Sequence, residues 1–238
     1  HRVNGDISKR RLRVIKYRGS SHGMDEYPFL VGEKGISILP VTSILLDSVA
    51  PTEFISTGIE GLDNMLAGKG YYQGSTILIS GAAGTGKSTL AGSFVQSACK
   101  ARCRSLFLAF EESTSQIVRN LGSVGLDLGT PIENGLLRIE PVRPSRFGLE
   151  EHLVRTHMLV NEFQPEVVVL DPITGFAPIG SRREIRVMLT RLLDYMKGKG
   201  ITTLLTSLTP GTGSDEETEV AVSSIMDTWI IIRFQRIR

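Results

Sequence analysis

A glycine-rich run constrains this chain more than any other feature. Its members are Gly81, Ala82, Ala83, Gly84, Thr85, Gly86, Lys87 and Ser88, which fit the pattern G-x-x-x-x-G-K-[ST]. An apolar strand is predicted before it at residues 76–80, and a helix after it from about Lys87 to Lys100. Glycines allow a tight curl in which successive backbone N–H groups point inward and can hold phosphate oxygens. A strand, this loop and a helix in that order predict a nucleotide-phosphate site rather than an accidental glycine loop.

The side chains beside this loop supply the rest of a phosphate site. We expect Lys87 to contact the β- and γ-phosphates of ATP, Ser88 to ligate Mg²⁺ and Thr89 to lie in the same binding turn. Asp171 ends an apolar run at residues 167–170, and an aspartate at the tip of a neighbouring strand often holds the magnesium. The alternative for Asp171 is a turn or helix-capping residue.

A pair of carboxylates, Glu111 and Glu112, follows the strand predicted at residues 105–110. Ligands of open α/β sheets bind at the carboxyl edge, where a carboxylate can act as general base toward water or a phosphate-accepting hydroxyl. Alternatively, Glu112 caps the helix predicted at residues 115–122, and Glu111 is solvated. The position favours a catalytic role for at least one of the two, together with Lys87.

Strands and helices alternate along the remaining chain. Further strands are predicted at residues 137–139, 202–206 and 228–234, and helices at Leu149–Phe163 and at residues 183–198. This alternation is typical of an α/β fold with a mostly parallel central sheet covered by helices on both faces. A length of 238 residues suits one such domain plus a smaller segment.

Composition disfavours several other classes of protein. The net charge of +2 is too small to indicate nucleic-acid binding by itself, and the basic stretch at residues 9–18 suits a solvated face. No apolar run is long enough for a bilayer, and no signal-peptide pattern is present, so we expect a cytoplasmic protein without membrane contact. Cys99 and Cys103 are expected to be reduced thiols, since a lone C-x-x-x-C pair makes a poor zinc site.

Several separate motifs resemble one family of RecA-like P-loop NTPases. They lie, in chain order, at residues 54–63, 81–90, 107–113 and 170–174. Together they resemble the KaiC family of circadian-clock ATPases and autokinases, and the resemblance covers nearly the whole chain. It implies a RecA-like fold, ATP and magnesium as cofactors, a homo-hexameric ring and clock-type protein partners.

The KaiC family has two tandem RecA-like domains, and the resemblance divides this chain accordingly. Residues 1–47, with a half-exposed strand predicted at 11–17, resemble the closing strands of the first domain, and residues 48–238 resemble the second domain without its own closing strands. Closing strands in such rings present cations to the neighbour's γ-phosphate. Lys16 and Arg18 match those positions, although they could be surface charges. A further hypothesis is that the leading strands dock where the missing closing strands would lie.

The same resemblance implies autophosphorylation. Ser223 and Ser224 occupy the places of the family's phosphoacceptors, and Thr218 matches a further threonine. The second acceptor is serine here rather than threonine, and the flanking residues differ. The alternative is a surface loop of small polar residues ahead of a strand.

Two other classes of protein would use the same nucleotide-binding core, a DNA-dependent ATPase and a nucleotide-dependent interaction module. A RecA- or RadA-type DNA-dependent ATPase needs basic loops, whereas residues 210–219 include Asp215, Glu216, Glu217 and Glu219 and no Lys or Arg. Acidic residues repel phosphate backbones, so nucleic acid is the less favoured partner. A nucleotide-dependent interaction module with little turnover would not need Glu111 and Glu112 for chemistry.

Overall fold

The computed structural model describes residues 11–19, 26–32, 35–38, 51–209 and 222–234. The strands are β1 (Arg11–Leu12), β2 (Tyr27–Gly32), β3 (Gly35–Ile38), β4 (Phe54–Ile55), β5 (Tyr71–Tyr72), β6 (Thr76–Gly81), β7 (Ser105–Ala109), β8 (Leu137–Pro141), β9 (Val167–Asp171), β10 (Thr202–Leu208) and β11 (Thr228–Ile232). The α-helices are α1 (Glu60–Met65), α2 (Lys87–Lys100), α3 (Thr114–Gly122), α4 (Gly129–Glu133), α5 (Leu149–Phe163) and α6 (Arg182–Gly198). Short 3₁₀ turns lie at Pro144–Arg146, Ile173–Ile179 and Ser223–Ile225.

One six-stranded sheet organises the domain, in the order β11-β6-β10-β9-β7-β8. Every neighbouring pair in it is parallel, with Leu205 of β10 opposite Leu78 of β6 and Leu170 of β9 opposite Leu108 of β7. Since all strands run the same way, the carboxyl ends of β6, β7 and β9 meet at one edge of the sheet. The structure therefore confirms the predicted α/β class with a parallel, RecA-like sheet.

Helices cover both faces of this sheet, because both faces of its inner strands are apolar. Successive residues of a strand point to opposite faces. Ile77 and Ile79 accordingly join a core with Phe94 of α2, whereas Leu78 joins a second core with Leu153 of α5 and Leu189 of α6. Burial on both sides fixes the strand register, and with it the position of the strand ends.

Two helices begin with a side-chain cap that the sequence encodes locally. Ser113 caps α3, and its hydroxyl accepts from the Gln116 amide while Gln116 accepts from the Ser113 amide. Ser181 and Glu184 make the equivalent capping box at α6. The alternative reading of Glu112 as the cap of α3 is therefore wrong, because Ser113 occupies that position.

The leading strands form a small antiparallel sheet of their own, β1-β2-β3. Only Arg11 and Leu12 of the predicted 11–17 strand pair with β2, and residues 13–17 have no regular structure. Strand β2 packs on helix α5, and the Arg11 guanidinium contacts Glu150 of that helix. Within one chain the hypothesis that the leading strands dock where the missing closing strands belong is therefore wrong for the described residues, since β2 lies on α5 and β1–β3 form a sheet separate from β11. The same docking between two chains stays a prediction.

Candidate functional site

The glycine-rich loop joins β6 to α2 with a backbone that suits glycine. Gly84 and Gly86 have positive φ angles, of 76° and 93°, in the left-handed region that other residues rarely adopt. A Cβ on Gly81 would lie 2.6 Å from the Ile232 carbonyl oxygen and 2.8 Å from Thr85 Oγ1. The loop therefore folds tightly against β11, and these three glycines keep it there.

The loop carries backbone N–H groups that bond to nothing among the described residues. These amides belong to Ala83, Gly84, Gly86, Lys87 and Ser88. By contrast, the amide of Thr85 donates to the Ala82 carbonyl at 3.4 Å, and its hydroxyl donates to the same oxygen at 2.9 Å. Unbonded donors at the N-terminus of a fourteen-residue helix make a site for an anion, because the helix dipole adds partial positive charge there. The donor set fits the phosphates of a nucleotide.

Lys87 lies inside this curl and is 7% exposed. Its ammonium group donates to the carbonyl oxygens of Gly81 at 2.9 Å and Ala82 at 2.7 Å. Burial lowers the pKa of Lys87, and the carboxylates of Asp171 and Glu111 act in the opposite direction. The Lys87 ammonium is thus a buried cation whose acceptors are two neutral carbonyl oxygens. A phosphate oxygen is charged and therefore a stronger acceptor, so it can replace these carbonyls.

Asp171 lies at the tip of β9, buried to 8% exposure. Thr206 of β10 donates a hydrogen bond from its hydroxyl to Asp171 Oδ1. Burial raises the pKa of Asp171, while Thr206, Ser88 and Lys87 lower it in that order. A carboxylate and the Ser88 hydroxyl are both oxygen ligands of the kind that Mg²⁺ accepts, so this pair fits a magnesium that also binds phosphate oxygens and water. Sequence reasoning missed Thr206, because β10 also contains Thr202, Thr203 and Ser207 and nothing in the sequence distinguishes Thr206 from them.

Glu111 and Glu112 lie just beyond β7 and line the same pocket as Lys87 and Asp171. Burial raises the pKa of Glu111, with further increases from the charges of Asp171 and Glu112, and Lys87 opposes them. Glu111 accepts no hydrogen bond from the described residues, whereas Glu112 accepts one from Asn120 Nδ2 at 2.9 Å. The two carboxylates therefore differ, since Glu112 is fixed to α3 and Glu111 is free to meet a ligand. Asn120 was not predicted.

The pocket that these residues share has a volume of about 360 Å³. Its polar lining includes Lys87, Ser88, Glu111, Glu112 and Asp171. On the side of the glycine-rich loop it is also lined by Ala83, Gly84 and Thr89. Three segments distant in sequence therefore converge on one space at the carboxyl edge of the sheet. Within the described residues, no cluster of three or more His, Cys, Asp or Glu side chains could hold a metal ion by itself.

The predicted phosphoacceptors lie away from this pocket in the same chain. Ser223 and Ser224 form the 3₁₀ turn before β11, at the amino ends of the strands, and the Ser224 hydroxyl accepts from the Arg186 guanidinium at 3.1 Å. Asp227 ties this turn to β6, because it accepts from the Thr76 amide at 2.7 Å and pairs with Lys197 at 2.9 Å. Thr218 lies outside the described residues.

The predicted cations of the leading segment, Lys16 and Arg18, are exposed and form no ion pair with the described residues. They lie on the irregular stretch after β1, and neither side chain lines the phosphate pocket of its own chain. Among the described residues, no helix combines the length and the apolar character that crossing a membrane requires.

Comparison with known proteins gives a consistent picture. The family model described as "ATPase: KaiC" matches residues 55–238. A similar protein is "Circadian clock protein KaiC2" of Synechocystis sp., which is 47% identical over 98% of this chain and 41% of its own length. "Circadian clock oscillator protein KaiC" of Synechococcus elongatus is 34% identical over 99% of this chain and 46% of its own length. The protein of the same name in Acaryochloris marina is also 34% identical, over 99% of this chain and 45% of its length. The chain thus spans less than half the length of these relatives.

Proposed function

Because the chain belongs to the KaiC ATPase family, we propose that it binds ATP with magnesium at residues 81–89 and hydrolyses it. The observation that supports this most directly is the set of loop amides that have no acceptor in the described part of the chain, gathered around the buried ammonium group of Lys87. These backbone amides already point into the loop and need no rearrangement during the reaction. Positioning and electrostatic stabilisation of this kind are the main source of catalysis in phosphoryl transfer.

Each side chain has a role in this proposal. Lys87 leaves the carbonyl oxygens of Gly81 and Ala82 and donates to β- and γ-phosphate oxygens. Ser88 and Asp171 would hold the magnesium, and Thr206 orients the Asp171 carboxylate. When bound, magnesium neutralises charge on the phosphate oxygens.

Glu111 is the group that we propose as general base. It is free of hydrogen bonds to the described residues, faces the pocket and has a raised pKa. It accepts a proton from the attacking water, which bonds to the γ-phosphorus as the bond to the β-phosphate oxygen breaks. Glu112, which accepts a hydrogen bond from Asn120, raises the pKa of Glu111 through its negative charge.

A direct test measures ATP binding and phosphate release by the 238-residue chain with magnesium and with excess EDTA. We expect binding and slow release with magnesium, and release at the buffer rate with EDTA. Magnesium-independent turnover, or no ATP binding at millimolar concentration, would refute the proposal.

We also propose autophosphorylation between copies of the chain, on the turn before β11, since Ser223 and Ser224 lie away from the pocket of their own chain. Ser223 and Ser224 lie on a described surface turn, and the contact of Ser224 with Arg186 gives a new phosphoryl group a cation to pair with. The γ-phosphoryl group moves to a serine oxygen, ADP leaves, and the hydroxyl proton passes to a carboxylate.

Incubation with γ-labelled ATP and mass spectrometry of Thr218, Ser223 and Ser224 tests this autophosphorylation. The double variant Ser223→Ala with Ser224→Ala should lose most of the label. The matched control, Ser123→Ala at an exposed serine of another turn, should keep it. Label that survives the double variant in full would place the acceptor elsewhere.

A homo-hexameric ring completes the proposal, with Lys16 and Arg18 presented to a neighbour's nucleotide. Their exposure supports it, as does their lack of ion pairs to any described residue. The names of the relatives support a role in a circadian clock or related signalling, with clock-type partners. Sedimentation with Mg-ATP tests the assembly. Within the ring, Lys16→Ala with Arg18→Ala should slow turnover, whereas Arg13→Ala, at an exposed neighbouring arginine, should not.

A further inference from the structure

Glu111, the general base proposed above, depends on its neighbour Phe110 for its position, because its own carboxylate accepts no hydrogen bond from the described residues. Phe110 directly follows β7 and is buried. Its backbone amide donates to the Asp171 carbonyl oxygen at 2.9 Å. This bond joins the strand end that carries the proposed base to the strand end that carries the proposed magnesium ligand. Whatever holds Phe110 therefore also helps to place Glu111.

The ring of Phe110 packs in an aromatic cluster with Phe176 and with His152 of α5. The rings of Phe110 and Phe176 lie 4.6 Å apart at 60°, and His152 meets Phe110 edge-on at 6.5 Å and 89°. His152 also lies edge-on to Phe176 at 5.2 Å and to Phe147 at 5.6 Å. Edge-to-face contacts are favourable and depend on the orientation of the rings. The buried His152 ring therefore has a defined place among three phenyl rings.

A hydrogen bond orients the His152 ring within this cluster. Its Nε2 lies 2.9 Å from the Pro144 carbonyl oxygen. A carbonyl oxygen only accepts, so Nε2 carries the proton. Burial lowers the pKa of His152, and the ring is therefore mainly neutral at pH 7. A neutral imidazole thus supplies an N–H group to the turn that begins at Pro144 and a flat ring to Phe110.

Gly175 closes this arrangement on the side of β9. A Cβ at this position would lie 3.2 Å from Pro144 Cγ and 3.3 Å from Phe110 Cβ. The loop after β9 therefore packs directly against both Phe110 and the turn that His152 holds. Since a close-packed interior transmits small displacements, a shift of the His152 ring reaches the backbone that leads to Glu111.

We propose that His152 is a positioning residue for Glu111, acting through Phe110 and the turn at Pro144. His152 does not line the phosphate pocket, so its effect on the reaction passes through these packing neighbours. Such an effect is large because a misplacement of about 1 Å in a reacting group costs about 10²-fold in rate. The inference rests on the proposed function, since it assumes that Glu111 accepts the proton of the attacking water.

The test measures single-turnover phosphate release and ATP affinity in variants of the full chain. His152→Ala removes the ring and its N–H group, so the rate should fall at least about tenfold while ATP affinity stays within about twofold. His152→Phe keeps a ring against Phe110, and the Pro144 oxygen keeps the Phe147 amide as a donor at 3.3 Å. The rate of this variant should stay within about threefold of that of the unmodified chain.

The matched control is His157→Ala, at a half-buried histidine of the same helix. The His157 ring stacks on Tyr195 of α6 at 3.6 Å and lines neither the phosphate pocket nor the larger cleft that Glu111 also borders. This variant loses an imidazole from α5 without disturbing Phe110. Its single-turnover rate should change less than about twofold.

The decisive comparison places His152→Ala in a chain that already carries Glu111→Gln. If His152 acts through Glu111, the second change should lower the rate less than about twofold, because the base that it positions is already absent. Equal losses with and without Glu111 would show that His152 supports the fold in general and would overturn the inference. An unchanged rate for His152→Ala, or a rate for His152→Phe as low as that for His152→Ala, would overturn it too.

Melting temperatures are measured for every variant, since alanine leaves a cavity at this buried position. If His152→Ala does not fold, His152→Leu leaves a smaller cavity and takes its place. The expected loss is then at least about threefold with Glu111 and less than about twofold with Glu111→Gln. If Glu111→Gln leaves the rate unchanged, the role of Glu111 in the proposed function fails. If Glu111→Gln slows turnover and His152→Ala does not, only this inference fails.

Discussion

Asp171 and Glu111 lie in one pocket, yet the fold treats these two carboxylates differently. Asp171 ends a strand in the middle of the sheet, is 8% exposed and accepts a hydrogen bond from Thr206. Glu111 follows a strand nearer the edge, is exposed and accepts no hydrogen bond from the described residues. Removal from water is the largest cause of a raised pKa for both carboxyl groups, although this removal is only partial for Glu111. Thr206 therefore holds the Asp171 carboxylate in one orientation, whereas no described residue holds that of Glu111.

The difference teaches which chemistry each carboxylate can perform. A metal ligand must keep its geometry, and partners that orient it hold it there. A general base must instead approach the proton that it takes, and its pKa should lie closer to the working pH than that of an ordinary glutamate. Asp171 suits the first role and Glu111 the second.

The largest effect that we expect is that of Glu111→Gln. Since glutamine cannot accept the proton of the attacking water, kcat should fall about 10²-fold or more. ATP affinity should stay within about twofold, because Glu111 makes no hydrogen bond or ion pair that the described residues would lose. Single-turnover phosphate release and an ATP titration measure the two quantities. A fall in affinity with unchanged kcat would reverse the roles assigned to Glu111 and Asp171.

A smaller effect, of a different kind, is expected for Asp171→Asn. Mutation of a residue that merely hydrogen-bonds a metal ligand typically lowers metal affinity by about 10- to 100-fold. Loss of the charge of the ligand itself should therefore raise the magnesium concentration for half-maximal turnover by at least about tenfold. A magnesium titration at saturating ATP measures it. If the magnesium requirement does not change, Asp171 is a structural residue and the comparison fails.

The same variant should stabilise the protein without nucleotide. Because burial raises the pKa of Asp171, its charged form is less favourable in the folded than in the unfolded state, and this penalty appears as pH rises above the unfolded pKa. The asparagine side chain of the variant would carry no charge and could still accept from Thr206. We expect a gain of about 1 kcal/mol, or about 2–4 °C in Tm at pH 7. A lower Tm for Asp171→Asn would contradict the assigned burial penalty.

The smallest effect concerns Glu112. Burial, then Asp171, then Glu112 raise the pKa of Glu111, so the acidic limb of the pH–rate profile should report the deprotonation of Glu111. Turnover should fall as pH drops through that pKa. Glu112→Gln removes one raising charge and should move the limb to lower pH, with a rate change at neutral pH of only about threefold or less. A shift to higher pH would show that Glu112 acts on Glu111 in another way.

The parts of the site that sequence predicted are those encoded by local patterns. The loop motif, the apolar strand before it and the carboxylates at strand ends are all readable within a few neighbouring residues. Helices α2 and α5 have the predicted bounds, because their apolar periodicity runs from end to end. Strands β6, β7, β9 and β10 were predicted within a few residues of their ends.

The missed features depend on contacts between distant segments. Thr206 meets Asp171 across neighbouring strands, and Arg186 meets Ser224 from another helix, so nothing local marks either residue. The short elements α1, α4, β4 and β5 were also missed, since a few residues give no periodicity. The alternation of basic and apolar residues at 11–17 predicted a longer strand, but only Arg11 and Leu12 face a partner strand in the described residues.

The most direct test of the account is the affinity for ATP of Lys87→Ala, with Lys100→Ala, at the exposed end of the same helix, as control. Lys87 is the buried cation of the loop, so its removal should weaken Mg-ATP binding at least about tenfold and reduce turnover to background. Lys100→Ala should bind and turn over ATP as the unmodified chain does. Unchanged affinity and turnover in a folded Lys87→Ala protein would contradict the assignment of this loop as the nucleotide site.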